Sequence, residues 1–290
     1  MNGISKILVL LTFLVIQFSA AQESSTTNTI LFKIEKPNSD YTSYLFGTHH
    51  AFGKTFFDSL TNANKSLRNC NVLIKENLNI PGQMAEDIIN RRTKQTKWNK
   101  YLSKDNLAYI ENLFASSPTD FKKMTPPEMY AFLNRYYKAQ FCLAKDSTDT
   151  SNSLDDYIGL KAEQLNIKLV GLETTEEQIA LLNKDIEGMP RKVHKKRFAN
   201  LIKRIKAGQP TDCEETDWYE QMDIEYQLNE RCQNALILTD RNNKWMKVIS
   251  QQLELNNCFI AVGLSHLMFE CGLINQLQKL GYTITPFKAK

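Results

Sequence analysis

Three of the chain's four histidines stand in two short stretches near its ends, and both stretches read Gly-x-x-His. The first is Gly47-Thr48-His49-His50 and the second is Gly263-Leu264-Ser265-His266. Each follows a strand-like run, Tyr41 to Phe46 in one case and Phe259 to Val262 in the other. Two glutamates have the same setting: Glu76 after Asn71 to Ile74, and Glu173 after Ile167 to Leu172. Two imidazoles and a carboxylate can ligate a divalent metal and leave a coordination position for water. Water on such an ion becomes a nucleophile near neutral pH. His50, Glu76 and His266 form that candidate ligand set, with Mn, Co or Zn as candidate ions. Without a metal, a His–Glu pair can still activate water as a general base. Each residue also has a plainer reading. His50 and His266 can cap helix N-termini, Glu76 can be a solvated carboxylate at a sheet edge, and Glu173 can be a first-turn helix carboxylate held by the dipole. His49 is expected to support the site from behind or to pack against a neighbouring strand.

The elements that position these residues follow from the pattern of the chain. Thr29 to Ile34 and Tyr41 to Phe46 flank Pro37-Asn38-Ser39-Asp40, which is hairpin chemistry. A helix over Phe56 to Arg68 and the run Asn71 to Ile74 then make a strand–helix–strand unit. Helical periodicity dominates Met84–Arg92, Lys104–Ala115 and Pro127–Gln140, with aromatic residues throughout. These aromatics are read as core. Ser153 is a candidate N-cap for a helix over Leu154 to Leu165, and Thr174 with Glu177 fits a capping box. Arg191 to Gly208 is strongly basic and is read as a solvated helix face that includes His194. Asp217 to Ile237 is expected to be helical. The last unit is strand, His turn, helix and strand, with Gly281 as the C′ glycine and Tyr282 to Thr285 as the closing strand.

The expected fold is α/β: a central mixed, mostly parallel sheet with an N-terminal hairpin and an inserted helical cap. Helical insertions are expected at about 81–150 and 185–235 of a domain spanning 22–290. In open α/β sheets, ligands bind beyond the carboxyl ends of the strands. If the four strands are neighbours there, His50, Glu76, Glu173 and His266 share one crevice. Glu76 is expected to follow the strand beside that of His50, because the helix between them is short.

Composition narrows the class. At 42% hydrophobic and 23% charged the chain is ordinarily globular, and a net charge of +4 is too mild to imply nucleic acid. Lys6, the apolar run Ile7 to Ile16 and Ser19-Ala20-Ala21 read as a cleaved signal peptide over 1–21. The run is too short to favour a membrane span. A periplasmic or secreted protein is expected, with no transmembrane segment in the mature chain. Six cysteines in an oxidising compartment permit disulfides. Cys213 and Cys232 are the favoured pair, and Cys70 and Cys258, beside apolar strands, can be buried thiols.

The same residues carry a likeness. Leu45–His50, Val72–Glu76, Leu154–Tyr157, Val170–Thr174, Arg241-Asn242 and Phe259–Leu267 together resemble the TraB/GumN family, whose eukaryotic relatives include the TIKI proteases. The resemblance implies a fold akin to the erythromycin-esterase-like and ChaN-like proteins. For the TIKI branch it implies metal-dependent peptide hydrolysis through His50, His266 and Glu76, with Glu173 and Arg241 as further site residues. His49 stands where the family usually has an apolar residue, and Asn77-Leu78 where a second acid is common. Three readings follow: an exported metal-dependent hydrolase acting on a peptide or small-molecule substrate, a non-catalytic peptide- or haem-binding protein, and a metal-free esterase-like hydrolase.

Overall fold

The computed structural model describes residues 28–143, 148–149, 151 and 153–290. The expected signal peptide lies outside these residues. Six strands form one sheet: β1 Leu31–Glu35, β2 Thr42–Thr48, β3 Val72–Lys75, β4 Lys168–Gly171, β5 Cys258–Gly263 and β6 Thr283–Phe287. Their order is β4-β3-β5-β2-β1-β6. Strands β4, β3, β5 and β2 run parallel, while β1 pairs antiparallel with both β2 and β6. The expected mixed, mostly parallel sheet with its hairpin is therefore present.

Strand β5 lies between β3 and β2, and its sequence suits a place covered on both faces. Phe259, Ile260, Ala261 and Val262 are all fully buried, as an unalternating apolar run requires when helices cover both faces of a sheet. Burying each large side chain contributes about 1.5–3 kcal/mol, so this short run is a major share of what fixes the sheet. Its place between β3 and β2 corrects one expectation. Glu76 does not follow a neighbour of the His50 strand, since the last parallel strand in the sequence fills the gap between them. All four carboxyl ends nonetheless lie at one edge of the sheet: Lys75 pairs with both Gly171 and Ala261, and Thr48 with Gly263, so β2 and β5 run two residues past β3 and β4.

Gly47 does not break its strand, which continues to Thr48. The glycine serves close packing: a Cβ there would lie 2.6 Å from Leu264 Cδ1 and 3.3 Å from the Leu264 Cα. The first His turn thus sits directly against the second.

The aromatic helices have a core of their own. Trp98, Phe114, Phe121, Met129, Leu133 and Tyr137 pack with Phe198, Leu201, Ile202 and Ile205 of the basic helix Arg191–Ala207. The aromatic stripe is core, as expected. His194 is not on the solvated face: it is buried, with its ring edge-on to Tyr101 at 6.0 Å. The expected helix from Asp217 to Ile237 is also corrected. Helix Glu214–Gln221 ends at Met222 in the left-handed region, and irregular chain follows to Asn234. That irregular stretch pairs its backbone with the loop after the second His turn, through Phe269 N–H to the Tyr226 carbonyl and Glu270 N–H to that of Glu230. It carries Cys232 away from Cys213, and the disulfides are Cys142–Cys213 and Cys232–Cys271, with Cα separations of 5.4 and 6.0 Å. Cys70 and Cys258 are buried free thiols. Among the described residues, no helix is long and apolar enough to cross a membrane.

Candidate functional site

Four side chains follow the carboxyl ends of the parallel strands, and they divide into two assemblies. The first is built on His50. Its Nδ1 meets Asp155 Oδ2 at 2.7 Å, and Thr48 Oγ1 donates to Asp155 Oδ1 at 2.7 Å. Asp155 comes from the first turn of helix Leu154–Gln164, capped by Ser153, whose hydroxyl accepts from the Asp156 N–H. The helix dipole favours a carboxylate there. Burial pushes the Asp155 carboxyl up, but His50 and Thr48 outweigh it and hold the group at about 2. The Asp155 charge in turn raises the His50 imidazole to about 9. The His50 side chain keeps 57% of its surface, so water reaches the ring and screens part of that attraction.

The second assembly is organised by Arg241, from the first turn of helix Asp240–Leu253. Its Nε and Nη2 both donate to Glu173, Nη2 also to Glu76 Oε2 at 3.0 Å, and Nη1 to His266 Nε2 at 3.0 Å. Glu173 is held further by Trp245 Nε1–H at 3.3 Å. Glu76 has two more anchors, three in all: Gln178 Nε2 donates to Oε2 at 3.0 Å and the Gly263 N–H to Oε1 at 2.8 Å, beside Arg241. Gly263 lets the carboxylate approach closely: a Cβ would stand 3.1 Å from Glu76 Oε1 and would push it back by a few tenths of an ångström. Burial pushes the Glu76 carboxyl up, yet His266, Arg241 and His50 outweigh it and keep the group below the usual carboxylate range.

His266 is the counterpart of His50. Asn242 Oδ1 lies 2.7 Å from His266 Nδ1, while Asn242 Nδ2 donates to the carbonyls of His266 and Cys271. An amide oxygen only accepts, so this network assigns the proton to Nδ1 and leaves Nε2 to accept from Arg241. The ring lies 4.2 Å from that of Trp245. Burial lowers the His266 pKa to about 3, despite the opposing charge of Glu76. Near neutral pH the two turn histidines therefore hold opposite states, His50 charged and His266 neutral.

His49 faces away from both assemblies. Its ring packs on Phe52 and Tyr219, its Nε2 meets Glu215 Oε1 at 3.1 Å, and burial lowers its pKa to about 4. Asn77, where a second acid would fall, donates to Thr175 Oγ1 at 3.1 Å. Asp155 and Asn242 are the residues that sequence reasoning missed in a site role. Asp155 has the look of a first-turn capping acid, and Asn242 that of a helix-start residue. Their only signal was a place inside the family-like stretches Leu154–Tyr157 and Arg241-Asn242.

The donor set does not fit a divalent ion in this arrangement. The His266 Nε2 lone pair accepts from Arg241, and both Glu76 oxygens already accept N–H donors. His50 is engaged with Asp155 rather than with Glu76 or His266. Among the described residues, no group of three or more His, Cys, Asp or Glu side chains can hold a metal ion. The guanidinium of Arg241 supplies the positive charge that balances these carboxylates.

The family model described as TraB/PrgY/gumN matches residues 30–286, which covers nearly all of the described chain. No curated protein and no solved structure matches.

Proposed function

This chain belongs to the TraB/PrgY/gumN family, and from that premise we propose that it is an exported hydrolase that activates water with His50 and Asp155. Arg241 fills the cationic role that a metal-dependent mechanism gives to an ion. The observation that carries the reading is the His50–Asp155 contact of 2.7 Å at the water-accessible end of a parallel sheet. Asp155 engages Nδ1, which leaves Nε2 to take a proton from water in the fraction of molecules where the ring is neutral. Asp155 then stabilises the imidazolium that forms, and the ring can return its proton to a leaving group. Arg241 has five N–H donors and uses four of them on Glu76, Glu173 and His266. The remaining Nη1–H is the candidate donor to negative charge developing on a substrate carbonyl. Glu76, Glu173 and the neutral His266 hold the guanidinium in place. The two disulfides suit an oxidising compartment and support export.

A peptide bond or an ester is the proposed bond cleaved. The test is turnover of a peptide and ester library by the chelator-treated protein, with and without added Mn²⁺, Co²⁺ or Zn²⁺. Cleavage that survives the chelator and disappears in His50→Gln supports the proposal. Cleavage only after metal is added would restore the metal-dependent reading, and stoichiometric binding without turnover would select the peptide-binding one.

A further inference from the structure

The basic stretch Arg191–Gly208 and the loop after Arg92 belong to one surface that the hydrolytic site does not use. Residues 85–142 and 191–208, which share the second core, carry eighteen Lys and Arg against six Asp and Glu. The rest of the chain carries eighteen against twenty-six. A molecule of net charge +4 is thus strongly polarised, with its positive charge gathered in the helical lobe.

Within that lobe lies a cavity of about 440 Å³, lined by Arg92, Lys94, Lys97, Lys100, Lys123 and Tyr101 among others, with no Asp or Glu in its wall. Arg92 and Lys123 are fixed in place: Arg92 pairs with Glu128 at 2.7 Å, and Lys123 Nζ donates to the Asn90 carbonyl at 2.6 Å. Lys94, Lys97 and Lys100 are exposed. Among the described residues, the lobe's ion pairs are Arg92–Glu128, Lys138–Glu215 and Arg204–Asp212, none of which involves those three lysines. Tyr101 joins this wall to the basic helix through its ring contact with His194, and Lys192, Lys195 and Lys196 lie exposed on the same helical turns. The helix is not an interfacial anchor, because its apolar residues Phe198, Leu201, Ile202 and Ile205 are buried in the lobe.

Arg92 is balanced by Glu128, but among the described residues the four lysines around the cavity have no carboxylate partner; they repel one another and weaken the folded state unless a ligand of opposite charge offsets them. Lysine ammonium groups bind phosphate as point charges, and here they carry the recognition because the Arg92 fork is engaged by Glu128. The volume lies within the range of small-ligand sites. We infer that this cavity is a binding site for a phosphate-bearing anion with several negative charges, separate from the hydrolytic crevice. Both a soluble oligophosphate and a phospholipid headgroup present that chemistry.

Binding to the purified chain should be measured by calorimetry and by tryptophan fluorescence, since Trp98 lies buried between two lining lysines. The probes are inositol hexakisphosphate, tripolyphosphate, vesicles with and without phosphatidylglycerol, and polygalacturonate as a carboxylate polymer. Two triple variants are compared: Lys94→Glu/Lys97→Glu/Lys100→Glu in the cavity, and Lys65→Glu/Lys168→Glu/Lys279→Glu at exposed positions elsewhere. The expected result is saturable phosphate binding that weakens at least tenfold in the cavity variant and by less than threefold in the control. Binding of the soluble probes identifies a free oligophosphate. Binding of phosphatidylglycerol vesicles alone, with the same dependence on the cavity lysines, identifies a headgroup. Equal losses in the two variants, undiminished binding in the cavity variant, preference for polygalacturonate, or no binding of any probe would overturn the inference.

Discussion

Replacing Arg241 with methionine removes the one cation that serves two buried carboxylates and a neutral imidazole. The Glu173 side chain is 1% exposed and that of Glu76 is 8%. Methionine preserves much of the volume, so the loss is chiefly electrostatic. Removing one partner of a buried ion pair typically costs about 3–5 kcal/mol, because an uncompensated charge stays behind. For a chain of this size each kcal/mol moves Tm by roughly 2–4 °C. The expected drop at pH 8 is therefore about 6–20 °C. The two carboxyls can escape the penalty by taking up protons, so the difference from the wild-type protein should narrow as pH falls towards 5. Arg241→Lys keeps the charge but has three donors in place of five, and should lie between the two. The assay is thermal unfolding followed by circular dichroism across pH 5 to 8. A Tm for Arg241→Met within 2 °C of wild type at pH 8, or a loss of the same size at both ends of the range, would refute the reasoning.

Removal of Arg241 should also free lone pairs. Arg241→Ala is expected to gain thermal stability on addition of Zn²⁺ or Mn²⁺ where the wild-type chain gains none, and equal responses in differential scanning fluorimetry would contradict the charge-substitution argument. His266 and His49 both have folded pKa values below 6.5, about 3 and about 4. Their stabilisation is complete above pH 6.5 and is lost as pH falls, at roughly 1.4 kcal/mol per unit for each ring. Unfolding free energy should decline by about 2.7 kcal/mol per unit between pH 6 and 4.5, and a flat profile there would count against both burials. Asn242→Ala leaves His266 Nδ1–H and the His266 carbonyl without the amide partner in a buried setting, while the Cys271 carbonyl keeps Gln276 Nε2 at 2.9 Å. A loss of about 2–4 kcal/mol is expected in denaturant unfolding from such unsatisfied groups, and a loss under 0.5 kcal/mol would show that water replaces the amide. In histidine NMR titrations the His50 ring should change state near pH 9, and Asp155→Asn should return it towards 6.5. An unaltered His50 midpoint in that variant would remove Asp155 from its role.

The carboxyl ends of the parallel strands are legible because a strand buried on both faces has an unalternating apolar sequence, as Ile74 and Val262 illustrate. The residues immediately beyond such runs could then be placed on one edge without knowing strand order. The order itself was not legible: nothing in β3 or β5 states that Phe259 packs between Phe46 and Leu73 rather than outside them. For that reason the sequence alone pairs Glu76 with His50, whereas its carboxylate meets Arg241. Asp155 was hidden by its helix, since an acid in the first turn is explained by the dipole alone. Asn242 was hidden in the same way. The Cys232–Cys271 bridge depends on an irregular chain from Met222 to Asn234, where helical periodicity in the sequence outlasts the helix. His194 is misread from the sequence because five of its near neighbours on the helix, Arg191, Lys192, Lys195, Lys196 and Arg197, are basic, although its own ring packs on Tyr101.

The most direct test of water activation by His50 and Asp155 is the pH–rate profile of the chelator-treated protein on its best-cleaved library substrate. Only the neutral ring accepts a proton, so below the His50 pKa of about 9 the value of kcat/KM should rise about tenfold per pH unit. The rise should level off near pH 9, and in Asp155→Asn the same limb should move towards pH 6.5 with a lower plateau. A profile that is flat between pH 6 and 9, or a limb that Asp155→Asn leaves in place, would contradict the account.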